Sequence, residues 1–183
     1  MKTTEIQKKL KTNEYDFLRT HKNLGANVIL LTAGGSHAYG TDTITSDLDI
    51  RGITLNSAEE ILTMDYSDKP VEDRATDTVI YFLKQIVNLL LSCNPNTIEI
   101  LGTKLEQLFV CTEEGHLLRD NVRLFLSKKA AASFGGYAIA QLRRLQNALA
   151  RDSYPQKEKE QHILSSIQKQ LLTYLVLITM KIC

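Results

Sequence analysis

The stretch from Leu31 to Leu55 reads LTAGGSHAYGTDTITSDLDIRGITL, and its two halves decide the fold. An apolar run, Val28 to Thr32, leads into Gly34, Gly35 and Ser36, the pattern of a strand that delivers a tight turn. The glycines let a phosphate approach backbone amides, and Ser36 adds a hydroxyl donor. A short helix over Ser36 to Tyr39 would also turn its free N–H groups toward an anion. A second apolar run, Leu48 to Leu55, carries Asp47 and Asp49. Side chains alternate along a strand, so both carboxylates project from one face while Leu48 and Ile50 take the other. Two acids so placed repel unless a counter-charge joins them, and oxygen-only ligands suit Mg²⁺ or Mn²⁺. A glycine-rich turn near two solvated aspartates would account for the same residues. The linked placement, Gly-Ser closing one strand and Asp-x-Asp in the next, argues for a phosphate-holding loop followed by a metal-holding strand.

Gly35, Ser36, Asp47 and Asp49 resemble in type and spacing the motif of the nucleotidyltransferase superfamily that includes DNA polymerase beta. The longer strings GSHAYG, from Gly35, and SDLDIRG, from Ser46, are similar to a bacterial and phage branch of it, some of whose members are associated with RNA repair. The likeness runs on through DTVIYFLKQIVNLLLSCNPNTIEIL, Asp77 to Leu101, with its Lys84, its Asn94-Pro95 pair and Glu99. It continues in GGYAIAQLRRL from Gly135. The resemblance implies an α+β fold, a small mixed β-sheet nucleotidyltransferase domain flanked by helices over residues 1–110, followed by a C-terminal helical region over 111–183. It also implies metal-dependent transfer of a nucleoside monophosphate from a nucleoside triphosphate to an acceptor hydroxyl, with RNA among the acceptors and two ions of Mg²⁺ or Mn²⁺ per site. Asp47 and Asp49 would hold both ions, and Asp77 would hold the catalytic one and act as general base. Gly35 and Ser36 would hold phosphates, and Ser46, Arg51, Lys84, Tyr137 and Arg144 are the further nucleotide contacts it implies.

Working outward, Ile6, Leu10, Tyr15, Phe17 and Leu18 recur at loosely helical spacing, with Gly25 as a stop, and predict a helical arm packed on the sheet. Ser57 followed by Glu60 is a capping box opening a short helix to Met64. Asp65 to Arg74 reads as a loop or an edge strand. Asp77, Val79 and Tyr81 share one strand face, so Asp77 is placed to complete the metal site, although Asp65, Asp68, Glu72 and Asp73 are rivals and a plain boundary role stays open. Leu83 to Ser92 is an apolar helix in which Lys84 either meets phosphate or stays solvated. Asn94-Pro95 caps a second helix, Thr97 to Leu101, with Glu99 as a first-turn partner of the helix dipole.

From Glu113 the chain reads as helices over roughly 113–126, 128–151 and 157–181, the last two broken at Ser153-Tyr154-Pro155. Between Asn121 and Arg151 there is no acid, while Arg123, Lys128, Lys129, Arg143, Arg144 and Arg151 form a basic block. That block fits contact with triphosphate or a nucleic-acid backbone, and equally a solvated face. Tyr137, Gln141 and Arg144 lie on one helix face and are candidates to line a nucleotide cleft. His21, His37, His116 and His162 are isolated, so no transition-metal site is expected, and His37 either touches phosphate or acts as a spacer.

The three cysteines form no CxxC pair, which fits a reducing compartment. The polar N-terminus does not read as a signal peptide and no apolar run is long enough to span a bilayer, so a cytoplasmic protein without a membrane role is expected. Leu171 to Cys183 is apolar and uncapped, as if cut in mid-helix, and predicts either a missing C-terminal part or a homodimer through that helix. Two further classes fit the same residues: an antitoxin-like binding module that keeps the fold and acts through a partner, and a nucleic-acid-binding protein that relies on its basic helices.

Overall fold

A computed structural model describes residues 3–65, 69–150, 161, 164 and 165. Asp68, Arg151, the Ser153-Tyr154-Pro155 break, His162, the apolar Leu171 to Cys183 segment with its proposed dimer contact, and nearly all of the expected 157–181 helix lie outside the described residues.

In chain order the elements are α1 (Thr3–Lys9), α2 (Phe17–Thr20), β1 (Val28–Ala33), α3 (Gly35–Tyr39), β2 (Ile50–Thr54), α4 (Ala58–Thr63), β3 (Val71–Asp73), β4 (Thr78–Phe82), α5 (Leu83–Leu91), α6 (Pro95–Gly102), β5 (Leu108–Cys111), α7 (Glu113–Asp120) and α8 (Lys129–Ala150). Short 3-10 turns join several of them. The five strands form one mixed sheet in the order β3-β4-β2-β1-β5. β2 and β4 run parallel, with Ile50 opposite Thr78 and Thr54 opposite Phe82, and every other pairing is antiparallel. The α+β architecture expected from the sequence is the one observed.

All six residues of β1 are buried because the sheet is covered on both faces. On one face Leu31, Ile50 and Ile80 pack against Ile6, Leu10, Tyr15 and Leu18 of the N-terminal arm. The Arg19 guanidinium braces that arm by donating to the Leu10 carbonyl at 2.9 Å and the Thr12 carbonyl at 3.1 Å. On the other face Leu30 and Ile53 pack against Ile86, Leu90, Ile98, Leu101 and Phe134 of α5, α6 and α8. α7 sits directly on β1, since a Cβ at Gly115 would strike the Ile29 carbonyl oxygen.

Several local expectations hold at the level of hydrogen bonds. Ser57 accepts from the Glu60 N–H at 3.1 Å, and the Ser57 N–H donates to the Glu60 carboxylate at 3.0 Å, so the capping box is formed. The stretch around Pro70 contains the edge strand β3. Others differ. α2 ends at Thr20 rather than at Gly25, because His21 is already extended, and Gly25 uses its φ of +63° to open the turn that feeds β1. The second apolar run becomes a strand only from Ile50, so Asp47 and Asp49 precede β2. β1 has turned into α3 by Gly35, leaving no partner strand to pair with residues before Asp49. Burial alternates there all the same, with Leu48 and Ile50 buried and Asp49 partly exposed. β5 was not expected from the sequence, and residues 110 and 111, where a division was placed, both lie within it. No helix among the described residues is long and apolar enough to cross a membrane.

Candidate active site

The C-terminal end of β1 and the N-terminal ends of β2 and β4 meet at one point, because β1 runs antiparallel to β2 and β4 runs parallel to it. Residues at those three ends are therefore neighbours despite their separation in sequence. Gly34 and Gly35 come from the first, Asp49 and Arg51 from the second, and Asp77 from the third.

Close packing fixes which residue types fit. Gly35 has φ +54°, and a Cβ there would run into the Asp49 carboxylate. A Cβ on Gly34 would stand 3.0 Å from Arg51 Cγ and 3.2 Å from Asp49 Cβ. The Gly34 N–H donates to the Asp49 carbonyl at 2.8 Å, locking the loop to the acid's own backbone. α3 follows at once, with Gly40 in the left-handed region as its C-cap. His37 turns inward from it, 2 % exposed, with Nδ1 3.3 Å from Asp42 Oδ2. It anchors the loop from inside, which decides against phosphate contact.

Arg51 joins the two acids. One terminal nitrogen donates to Asp49 at 3.1 Å and to Asp77 at 3.2 Å. The other donates to the Asp77 carbonyl at 2.6 Å and the Ile50 carbonyl at 2.9 Å. The Ile50 N–H donates to the same Asp77 carbonyl at 3.1 Å, and Asp77 is held at φ +44°, a left-handed conformation that a non-glycine residue keeps only where its surroundings impose it. Burial pushes the Asp49 carboxyl up to about 6, helped by its hydrogen bond to Asp77 and opposed by Arg51. Asp77 moves the other way, its carboxylate held low chiefly by accepting that hydrogen bond, with Arg51 assisting. The two carboxyls are thus pushed in opposite directions, as happens to close acids when one is the more desolvated.

Beside this pair opens a cleft of ≈ 310 Å³. Gly34, Gly35, Ala38, Asp49 and Arg51 form one wall, and Val79 and Tyr81 of β4 form its floor. The cleft is also lined by Asn96 and Glu99 from α6, Thr103 at that helix's C-cap and Tyr137 from α8. The Tyr137 hydroxyl is pushed up by burial and then by Glu99, while its hydrogen bond to Gln141 and the charge of Arg144 act against that. Tyr137, Gln141 and Arg144 do therefore share the helix face inferred from their spacing.

Placement of the other expected residues is mixed. Asp47 is exposed and reaches Asp49 only as a neighbouring charge. Among the described residues no cluster of three or more His, Cys, Asp or Glu side chains stands close enough to hold a metal ion. Ser46 is engaged in a turn, its hydroxyl accepting from the Thr43 N–H at 2.9 Å. Lys84 is exposed at the start of α5, so the whole of β4 separates it from Asp77. Of the rivals to Asp77, Asp73 is occupied by accepting from the Thr76 N–H and hydroxyl, and Asp65 is exposed. Glu99 is not a first-turn cap partner: Asn94 is the N-cap and Pro95 the first helical residue, so α6 starts two residues earlier than expected and Glu99 falls in its second turn. Its signal in the sequence was the spacing of Asn96, Glu99 and Thr103 along an otherwise apolar helix.

The donors that meet here, two carboxylates and backbone amides with no nitrogen or sulfur ligand, fit a hard divalent cation and a phosphate group. No curated protein matches the chain. Over residues 6–171 it matches the family model described as RlaP, the RNA repair pathway DNA polymerase beta family, and with the sheet, the glycine loop and the Asp49–Asp77 pair in place, the chain belongs to that family.

Proposed function

We propose that this protein transfers a nucleoside monophosphate from a nucleoside triphosphate to an acceptor hydroxyl, releasing pyrophosphate. The convergence of Gly35, Asp49 and Arg51 in the lining of the ≈ 310 Å³ cleft, with Asp77 joined to them through Arg51, carries this reading. Asp49 and Asp77 are the residues to hold Mg²⁺ or Mn²⁺, with Asp47 contributing from the adjoining extended segment and two ions fitting the chemistry. Such ions polarise the phosphoryl oxygens and lower the pKa of a bound hydroxyl. The chain's own groups do the rest. The Gly35 amide and the Ser36 hydroxyl hold the terminal phosphates, and Arg51 offsets charge that develops as pyrophosphate leaves. Asp77, the more exposed of the two acids, is the one an acceptor hydroxyl can reach, and it receives the acceptor's proton. Tyr137 and Arg144 border the nucleoside from α8. Catalysis here rests mainly on positioning.

RNA is the acceptor we favour. Arg123, Lys128, Lys129, Arg143 and Arg144 are all exposed on the segment that carries Tyr137 to the cleft, and the family description names RNA repair. The test is to incubate the chain with each radiolabelled nucleoside triphosphate and Mg²⁺ or Mn²⁺, with and without RNA. Label on RNA that disappears in Asp49→Asn supports the reading. Turnover kept by Asp49→Asn sinks it, and metal-dependent nucleotide binding without turnover moves the binding-module reading ahead.

A further inference from the structure

Two tyrosines line the cleft, and they offer it different chemistry. The Tyr137 hydroxyl is already engaged by its hydrogen bond with Gln141. Tyr81 is the converse. Along β4 the buried residues are Thr78, Ile80 and Phe82, and the alternation of a strand sends Val79 and Tyr81 to the other face, where both line the cleft. The Tyr81 ring packs against the core that α5 and α6 build on that face. Its phenol makes no hydrogen bond within the described residues, and its oxygen is not sealed from solvent. Burial pushes the phenol up against the opposing pull of Arg51, so it stays a neutral group able both to donate and to accept. A half-buried tyrosine hydroxyl ordinarily has a partner, and at this place in the cleft water or a ligand must supply it.

Strand order decides which part of a nucleotide lies there. β2 separates β4 from β1, so Tyr81 stands two strand spacings, roughly 10 Å, from the strand that ends in the glycine loop. A nucleotide whose terminal phosphates are held at Gly35 and Ser36 then lays its nucleoside, not its phosphates, over Tyr81. Base edges carry fixed donors and acceptors, whereas a sugar hydroxyl plays either part, as a phenol does. We propose that Tyr81 is a nucleoside-binding residue of this site, its phenol hydrogen-bonding a hydroxyl of the ribose. This rests on the nucleotidyltransferase reading and adds to it how the sugar is recognised.

The experiment is calorimetric titration of the full chain in Mg²⁺, comparing wild type with Tyr81→Phe. The ligands are α,β-methylene analogues of the four ribonucleoside triphosphates, their 2′-deoxy and 3′-deoxy forms, and inorganic tripolyphosphate. Phenylalanine keeps the ring and its packing, and an unchanged Tm shows that the variant is folded. The expected result is a loss of about 5- to 10-fold in affinity for the ribonucleotide analogues in Tyr81→Phe, the scale of one neutral hydrogen bond, with tripolyphosphate binding unchanged. One deoxy series should bind wild type and Tyr81→Phe equally, and that series identifies the hydroxyl Tyr81 holds. Ribonucleotide affinity untouched by Tyr81→Phe, an equal loss for both deoxy series, or an equal loss for tripolyphosphate overturns the ribose assignment alone. A wild-type chain that binds neither nucleotide nor tripolyphosphate overturns the transferase reading beneath it.

Discussion

At Asp49 the cost of function is visible in a single side chain. Its carboxyl is raised to about 6 by burial, so the folded protein holds a charge there at neutral pH against its environment. Asp49→Asn removes that cost while keeping shape and an acceptor for Arg51. Transfer is expected to fall at least ~100-fold, as for loss of a metal ligand, with Tm equal to or above wild type. A parallel fall in Tm would make Asp49 a structural acid instead. Gly35 is the converse case, because an alanine there meets both a strained φ of +54° and the Asp49 carboxylate. Gly35→Ala should cost on the order of 2 kcal/mol and abolish nucleotide binding, whereas Gly136→Ala, in open space on α8, should not destabilise at all. Thermal melts of the two variants side by side check this. Tyr15 gives the clearest pH dependence. Burial, then Glu14, pushes its phenol up to about 12 from 10.0. A raised acid favours the folded state while protonated, so this contribution is full below pH 10 and is lost as pH rises toward 12. Tyr15→Phe should abolish that alkaline step in a stability-against-pH series.

Elements, not residues, explain why the cleft has the shape it has. β1 ends at Ala33 and passes straight into α3, so the residues before Asp49 have no partner strand and the turn is tied to the acid by the Gly34 N–H donating to the Asp49 carbonyl. Arg51, the second residue of β2, reaches back to both acids. α7 lies against the interior strand β1 at Gly115, where a methyl group would strike the Ile29 carbonyl. Gly115→Ala is expected to destabilise by about 1–3 kcal/mol, the usual penalty for overpacking, and to shift denaturant midpoints without changing nucleotide contacts directly. An unchanged midpoint would mean that α7 shifts off the sheet at little cost.

On the scale of the molecule, the sheet separates two cores, and only the face carrying α5 to α8 contributes a wall to the cleft. The exposed cations from Arg123 to Arg144 lie on that same helical side. With a formal net charge of +1 the chain has no bulk attraction for polyanions, so any RNA affinity must come from this local density. Arg143→Ala combined with Arg144→Ala should weaken RNA binding and reduce the magnitude of the log–log salt slope by up to about 2, since each phosphate contact adds roughly one counterion. Filter binding at several salt concentrations reads both, and an unchanged slope would return these arginines to the solvated surface.

Local chemistry made much of this protein legible from its sequence. Gly-Gly-Ser after an apolar run, the Ser57–Glu60 capping box and the shared face of Tyr137, Gln141 and Arg144 each depend on neighbours a few residues apart, and each appears in the structure where spacing put it, whereas Asp47 and Asp49 lie just before the strand expected to carry them. The tertiary structure alone decided which acids meet. Asp49 and Asp77 are paired by strands that run parallel across an intervening helix, while Asp47, two residues from Asp49, stays exposed. Lys84 was separated from the site by the length of a strand, Ser46 was taken into a turn, and Glu99 was carried to the cleft because its helix began earlier than the pattern suggested. β5 was hidden for a related reason: four half-buried residues at a sheet edge show no alternation, and only pairing with β1 makes them a strand. Spacing along a chain fixes the face a residue takes on its own element, but the distance between elements is set by how their apolar faces pack.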